Sequence, residues 1–151
     1  MDAMSADRRL TARLADLLDP REEILEAYLF GSHARGQAQP HSDIDVAVYI
    51  DDARVDDTGY GYRAHLTTEL MAGLGSNDVD VVVLNRSPPL LYHRVLRDGV
   101  RLLARDLCAT TTREGRAISR YCDFVPQLAK MEAARRLAAA RSRDHDRGRD
   151  W

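Results

Sequence analysis

Four short apolar runs with a two-residue period, at residues 24–30, 43–50, 78–84 and 100–104, are separated by stretches whose leucines recur at helical spacing. A chain that mixes these two periods has few ways to bury both. Its strands gather into one sheet and its helices pack on that sheet. Leu10, Leu14, Leu17 and Leu18 mark a helix over residues 6–18 that Asp19-Pro20 stops. Leu66, Leu70 and Leu74 mark another over 62–74, which Gly73 and Gly75 help to end. Ser87-Pro88-Pro89 caps and starts a third, to about Arg97, since proline is tolerated in a helix's first turn. Asp98-Gly99 turns into the last run. A helix between the second and third strands leaves room for a crossover, so a mixed sheet is expected. The expected fold class is α/β (α+β): a small mixed sheet of about four strands, helices on one face and acidic residues on the other. A C-terminal helix over about 110–140, interrupted or kinked at Pro126, closes the chain.

Residues 31–45 place chemistry on that frame. Gly31-Ser32 ends the first run, and ten residues later Asp43 and Asp45 open the second. In Asp43-Ile-Asp-Val-Ala-Val-Tyr-Ile50 the apolar Ile44, Val46, Val48 and Ile50 share one face. Asp43 and Asp45 share the other, so their carboxylates lie side by side. Two such charges repel unless a cation lies between them. Magnesium is a hard ion, usually held by one or two carboxylates plus substrate phosphates. Gly31 permits close approach of a phosphate to the main chain. Ser32 adds a hydroxyl, and the residues after it are expected to start a short helix, ended by Gly36, whose N–H groups face an anion. Arg35 lies in that first turn as a phosphate ligand, and Pro40 shapes the loop leading to Asp43.

A third carboxylate is expected from Asn77-Asp-Val-Asp-Val-Val-Val-Leu84. Asp80 sits one step into this strand, as Asp45 does in its own, and is the third acid. Asp78 is a solvated spare at the strand's start.

These residues resemble the nucleotidyltransferase superfamily that includes DNA polymerase β, and within it the small minimal nucleotidyltransferases. The family pattern is Gly-Ser, a ten-residue spacer with Ala-Arg-Gly early and Ser late, Asp-x-Asp, then a later Asp on a hydrophobic strand. Gly31, Ser32, Ala34, Arg35, Gly36, Ser42, Asp43, Asp45 and Asp80 match it over roughly residues 20–105. The short chain resembles the MntA-type antitoxins that are paired with HEPN-domain toxins. The resemblance implies a palm-like fold with Asp43, Asp45 and Asp80 as catalytic residues and ligands of one or two Mg2+ ions. It implies ATP as substrate, with Gly31, Ser32 and Arg35 holding its phosphates. It further implies transfer of AMP to a tyrosine of a HEPN-type RNase toxin, the partner in a hetero-oligomer. Two alternatives stay open: a small-molecule, aminoglycoside-like acceptor, and an antitoxin that acts by non-catalytic occlusion. The expected division is a minimal nucleotidyltransferase domain at 1–106, a helical segment at 107–143 packing on the domain or on a partner, and a polar tail at 144–151.

Composition narrows the setting. Hydrophobic residues make up 44% and charged residues 30%, within the globular range. The formal net charge of −2 provides no general drive towards nucleic acid, so no direct nucleic-acid binding is expected. No apolar run approaches the ~20 residues needed to span a bilayer, and the N-terminus lacks a signal peptide's apolar core. Cys108 and Cys122 lie fourteen apart with no matching histidine pair, as two reduced thiols of a cytoplasmic protein would. His33 and His41 flank the phosphate turn as ordinary loop histidines or as nucleotide contacts. Tyr60 or Tyr62, in a glycine-rich loop, either stacks on the base or packs the loop. Arg63 and Arg86 are weaker candidates for a phosphate contact. Residues 133–143 favour helix but contain one large apolar residue. They form either a solvated helix end or a basic arm for a partner.

Overall fold

The computed structural model describes residues 3–39, 41–56 and 60–147. In chain order these form α1 (Ala3–Leu18), β1 (Ile24–Phe30), β2 (Ile44–Ile50), α2 (Tyr60–Leu74), β3 (Val79–Val83), α3 (Pro89–Asp98), β4 (Val100–Ala104) and α4 (Leu107–Arg147). Short 3-10 turns lie at Asp52–Arg54 and Leu84–Arg86. Pro40, the Thr58-Gly59 part of the glycine-rich loop, the Tyr60 side chain and the tail 148–151 with Trp151 lie outside the described residues.

The strands form one sheet in the order β3-β2-β1-β4. β1 runs antiparallel to both β2 and β4, and β2 runs parallel to β3. A parallel pair needs a crossover, which α2 supplies. The sheet is therefore mixed and four-stranded, as expected.

Period-two alternation sorts the faces. Ala27 and Leu29, Val46 and Val48, and Val79 and Val81 pack against Leu14 and Leu18 of α1 and Tyr62, Leu66 and Leu70 of α2. This is the main core. At the end of α1, the Arg105 guanidinium donates to the carbonyl oxygens of Asp19 (2.6 Å), Arg21 (3.0 Å) and Ile24 (3.1 Å). A cation just past a helix C-terminus is also favoured by the helix dipole.

The second face needs one correction to the expected layout. Tyr28, Phe30 and Ala47 are covered by Leu84, Tyr92 and Val95 and by Ala117 of α4. Helices thus lie on both faces, because α3 and the first turns of α4 build a smaller second core. Polar contacts fix α4 in place. Glu26 is fully buried, and Arg113 donates through Nε and Nη2 to its two carboxylate oxygens, each at 2.6 Å. The Thr110 hydroxyl adds a third bond at 2.9 Å. A buried charge is tolerated only when paired in this way. Tyr28 donates to Glu114 at 2.8 Å, and Arg101 donates to the same oxygen at 2.6 Å.

Beyond Ala117 no described residue is buried. Of the expected interruption or kink at Pro126, the interruption does not occur, since α4 is continuous through it. Proline deletes one helical N–H, but on an exposed helix water can take the freed carbonyl, so the helix continues.

Candidate active site

β1 ends at Phe30, and the chain turns at Gly31 with φ +77°, a left-handed angle that glycine adopts without strain. A Cβ at this position would overlap the Asp45 carboxylate. The turn and the acid are therefore in contact, backbone against side chain. Residues 32–36 are a run of turns and not the expected short helix. The Arg35 N–H donates to the Gly31 carbonyl (3.2 Å) and the Gln37 N–H to the Ser32 carbonyl (2.9 Å). Gly36, at φ +67°, closes the run in a conformation that stops helical propagation. Successive turn N–H groups still make a concave anion site.

The far end of this loop is pinned too. Ser42 Oγ accepts from the Gln39 N–H at 2.9 Å, and the Ser42 N–H donates back to the Gln39 carbonyl at 3.0 Å. His33 Nε2 lies 3.1 Å from the Ser42 carbonyl oxygen. It can donate there in the tautomer that carries its proton on that nitrogen. His33 thus ties the phosphate turn to the residue before Asp43.

The acids meet as the strand registers dictate. Asp45 is the register partner of Phe30 on one side and of Asp80 on the other. The Ile44 N–H donates to the Asp78 carbonyl at 2.7 Å, so β2 and β3 stay paired up to the acids. Asp43 is exposed just ahead of β2, and Asp45 is half-buried. Burial, then the charges of Asp80 and Asp43, push the Asp45 carboxyl above its ordinary value, and His33 pulls the other way. The three acids therefore lie within electrostatic reach of one another. Asp78 is exposed before β3 and is not among the charges that act on Asp45.

Arg63, on α2, donates through Nη2 to Asp80 Oδ1 at 2.9 Å. Nothing in the helical pattern of 60–74 singles this arginine out, and only the crossover brings it over β3. Among the described residues no group of three His, Cys, Asp or Glu side chains is already arranged to hold a metal ion. The donor chemistry fits magnesium all the same. Every ligand on offer is a carboxylate oxygen, and this ion takes its remaining ligands from water and substrate phosphate.

Other expected site residues fall as follows. The Ser32 hydroxyl has no hydrogen bond among the described residues, and follows Gly31 directly in the turn. Arg35 is exposed. Its charge is felt at Asp98, which is held below its usual range chiefly by a hydrogen bond from Arg97. Arg35 is not among the charges acting on Asp45. Tyr62 is buried and donates to Glu23 at 3.1 Å, which makes it a packing residue. Cys108 and Cys122 are both exposed and unjoined. No described helix is long and apolar enough to cross a membrane.

Comparison with known proteins identifies the family and the fold. The family profile "Polymerase beta, Nucleotidyltransferase" matches residues 12–107. No curated protein matches the sequence. Among solved structures, a toxin–antitoxin complex with AMP-PNP contains a chain that is 27% identical, with TM-score 0.68, covering 82% of this chain and 97% of that one. A chain of the MntA–HepT toxin–antitoxin complex is 26% identical, with TM-score 0.63 over 83% of this chain and 97% of its own. A chain of the complex of tri-AMPylated HEPN toxin with MNT antitoxin from Shewanella oneidensis is 25% identical, with TM-score 0.65 over 85% and 98%.

Proposed function

We propose that this chain, which belongs to the polymerase β nucleotidyltransferase family, is an antitoxin that transfers AMP from ATP to a tyrosine hydroxyl of a HEPN-type RNase toxin and so neutralises it. The observation that carries the reading is the contact of the Gly31 turn with Asp45, itself in register with Asp80. It puts an anion-binding backbone beside paired carboxylates, the arrangement that triphosphate chemistry needs. The choice of partner is supported by the similarity to chains found in toxin–antitoxin complexes, one of which contains AMP-PNP and another an AMPylated toxin.

In this reading Asp43 and Asp45 hold magnesium, with Asp80 as the third ligand on the acceptor side. When bound, the ion neutralises charge on the triphosphate as the α-phosphorus is attacked. Gly31 and Ser32 orient the β- and γ-phosphates through backbone N–H groups and the free hydroxyl. Arg35 joins them only if its exposed side chain swings from the Asp98 side. Asp80 takes the proton from the acceptor hydroxyl once Arg63 releases it. The acceptor oxygen bonds to the α-phosphorus, the bond from that phosphorus to the bridging oxygen breaks, and pyrophosphate leaves with the electron pair. The β2–β3 ladder holds the two sides of the site at fixed separation throughout.

The test is the intact mass of the toxin after co-expression. Increments of one adenylate unit, lost when Asp43→Asn and Asp45→Asn are introduced together, are expected. A toxin that is inhibited but unmodified would replace this reading with occlusion.

A further inference from the structure

On the same sheet face as the acids, but at the other end of β2, α4 closes over a cavity of about 70 Å3. A single water needs only about 10–15 Å3 by this measure, so a group several waters in size fits. Tyr49, Asn85, Tyr92, Arg113, Arg116 and Arg120 line it. Tyr49 lies four residues along the strand from Asp45, about 13 Å at ~3.3 Å per residue. Ala47, buried beneath the second core, separates the two places.

Two independent observations make this more than a gap. The first is an unsatisfied group. Tyr92 is 6% exposed, and its hydroxyl oxygen is buried without any hydrogen-bond partner. It lies within reach of the charges of Glu26, Arg113 and Glu114 and of the Tyr49 phenol, in a residue that lines the cavity. Desolvation holds the phenol in its neutral form, so the group is a donor waiting for an acceptor. Buried polar groups without partners are rare and mark a missing ligand or water. The second is unpaired positive charge at the rim, where Arg116 and Arg120 are both exposed. Arg113, Arg116 and Arg120 rise along one side of α4, and only Arg113 is paired, with Glu26. Among the described residues no carboxylate pairs with Arg116 or Arg120. The Glu26 carboxylate is closed off by Arg113 and Thr110. Asn85 is committed to Ile50, accepting from its N–H at 3.0 Å and donating to its carbonyl at 2.7 Å, so it shapes the floor and leaves binding to the others.

We propose that this cavity is a binding site for a phosphate-type oxyanion, with Arg116 and Arg120 as its charged clamps and the Tyr92 hydroxyl as its buried donor. Guanidinium groups suit a phosphate because their forked N–H groups match its oxygens. The phosphate can be free, part of pyrophosphate, or the 5′-phosphate of a nucleotide. None of these residues belongs to the acid cluster, so the site stands apart from the transfer chemistry.

The test is calorimetric titration of the full chain in metal-free buffer with inorganic phosphate, pyrophosphate, AMP and, as a carboxylate control, acetate. At least one phosphate titrant is expected to bind, and the tightest identifies the source. Arg116→Ala with Arg120→Ala should weaken that binding at least about tenfold, as should Tyr92→Phe, since a hydrogen bond to a charged group is lost in each. Both substitutions leave the core intact, so folding is not in question. Absence of phosphate binding up to about 10 mM, where a usable site of this class would register, overturns the proposal. So does binding that the variants leave unchanged, which would locate it at the Gly31 turn. Acetate binding as tightly as phosphate would also overturn it, in favour of a carboxylate from a protein partner.

Discussion

Gly31 carries two constraints at one Cα. Its φ of +77° disfavours any side chain, and the space where a Cβ would sit belongs to Asp45. Gly31→Ala must therefore shift either the turn or the acid. A displacement of about 1 Å at a reacting centre costs about 100-fold in rate, and a loss of at least that size is expected in an adenylylation assay, with the circular-dichroism spectrum unchanged. Arg63 makes the opposite prediction. Its pair with Asp80 is half-exposed on both sides, and such pairs contribute about 1 kcal/mol at most. Arg63→Ala frees the Asp80 carboxylate, so magnesium affinity in the presence of ATP should tighten by no more than about fivefold. A weakened affinity would mean that Arg63 binds phosphate instead.

At the scale of elements, α4 depends on a buried charge. Breaking such a pair by removing one partner costs about 3–5 kcal/mol, because the other is left uncompensated. Arg113→Met should lower stability by about that amount in urea denaturation, and adding Glu26→Leu should recover most of it. Periodicity made the strands legible: β1 and β4 lie where their apolar runs and bounding turns put them, and β2 and β3 within a residue or so. It also placed Asp45 and Asp80 side by side across β2 and β3, because alternation fixes which face an acid takes. The Glu26–Arg113 latch was not legible, since its partners lie 87 residues apart and neither stands in a recognisable pattern. For the same reason the covering of the second face by α3 and α4 went unforeseen. Tyr92, Val95 and Ala117 look ordinary until the fold brings them to Tyr28 and Phe30. The turn at 32–36 differs from the expected helix because Gly36 and the bond from Gln37 to Ser32 close the chain locally.

At the scale of the whole molecule, the two cores end at Ala117, and α4 continues for thirty residues beyond it. Among these, Tyr121 still stacks on His93, with ring centroids 3.6 Å apart. Farther out, Met131 and Leu137 are largely exposed. A chain ending after Leu128 should keep the fold, with a melting temperature within about 4 °C of the full protein, because exposed positions each contribute little. A larger drop would show that the distal helix supports the domain.

β3, which carries Asp80, is the outermost strand on its side of the sheet, with Asp78 at its threshold. An open margin of unpaired amides invites a strand from another molecule, and fixed negative charge there repels one. Asp78 and Asp80 thus disfavour pairing of this edge with a second molecule. Making both neutral, with Asp78→Asn and Asp80→Asn, should therefore lower the concentration at which the protein precipitates, quite apart from any loss of turnover.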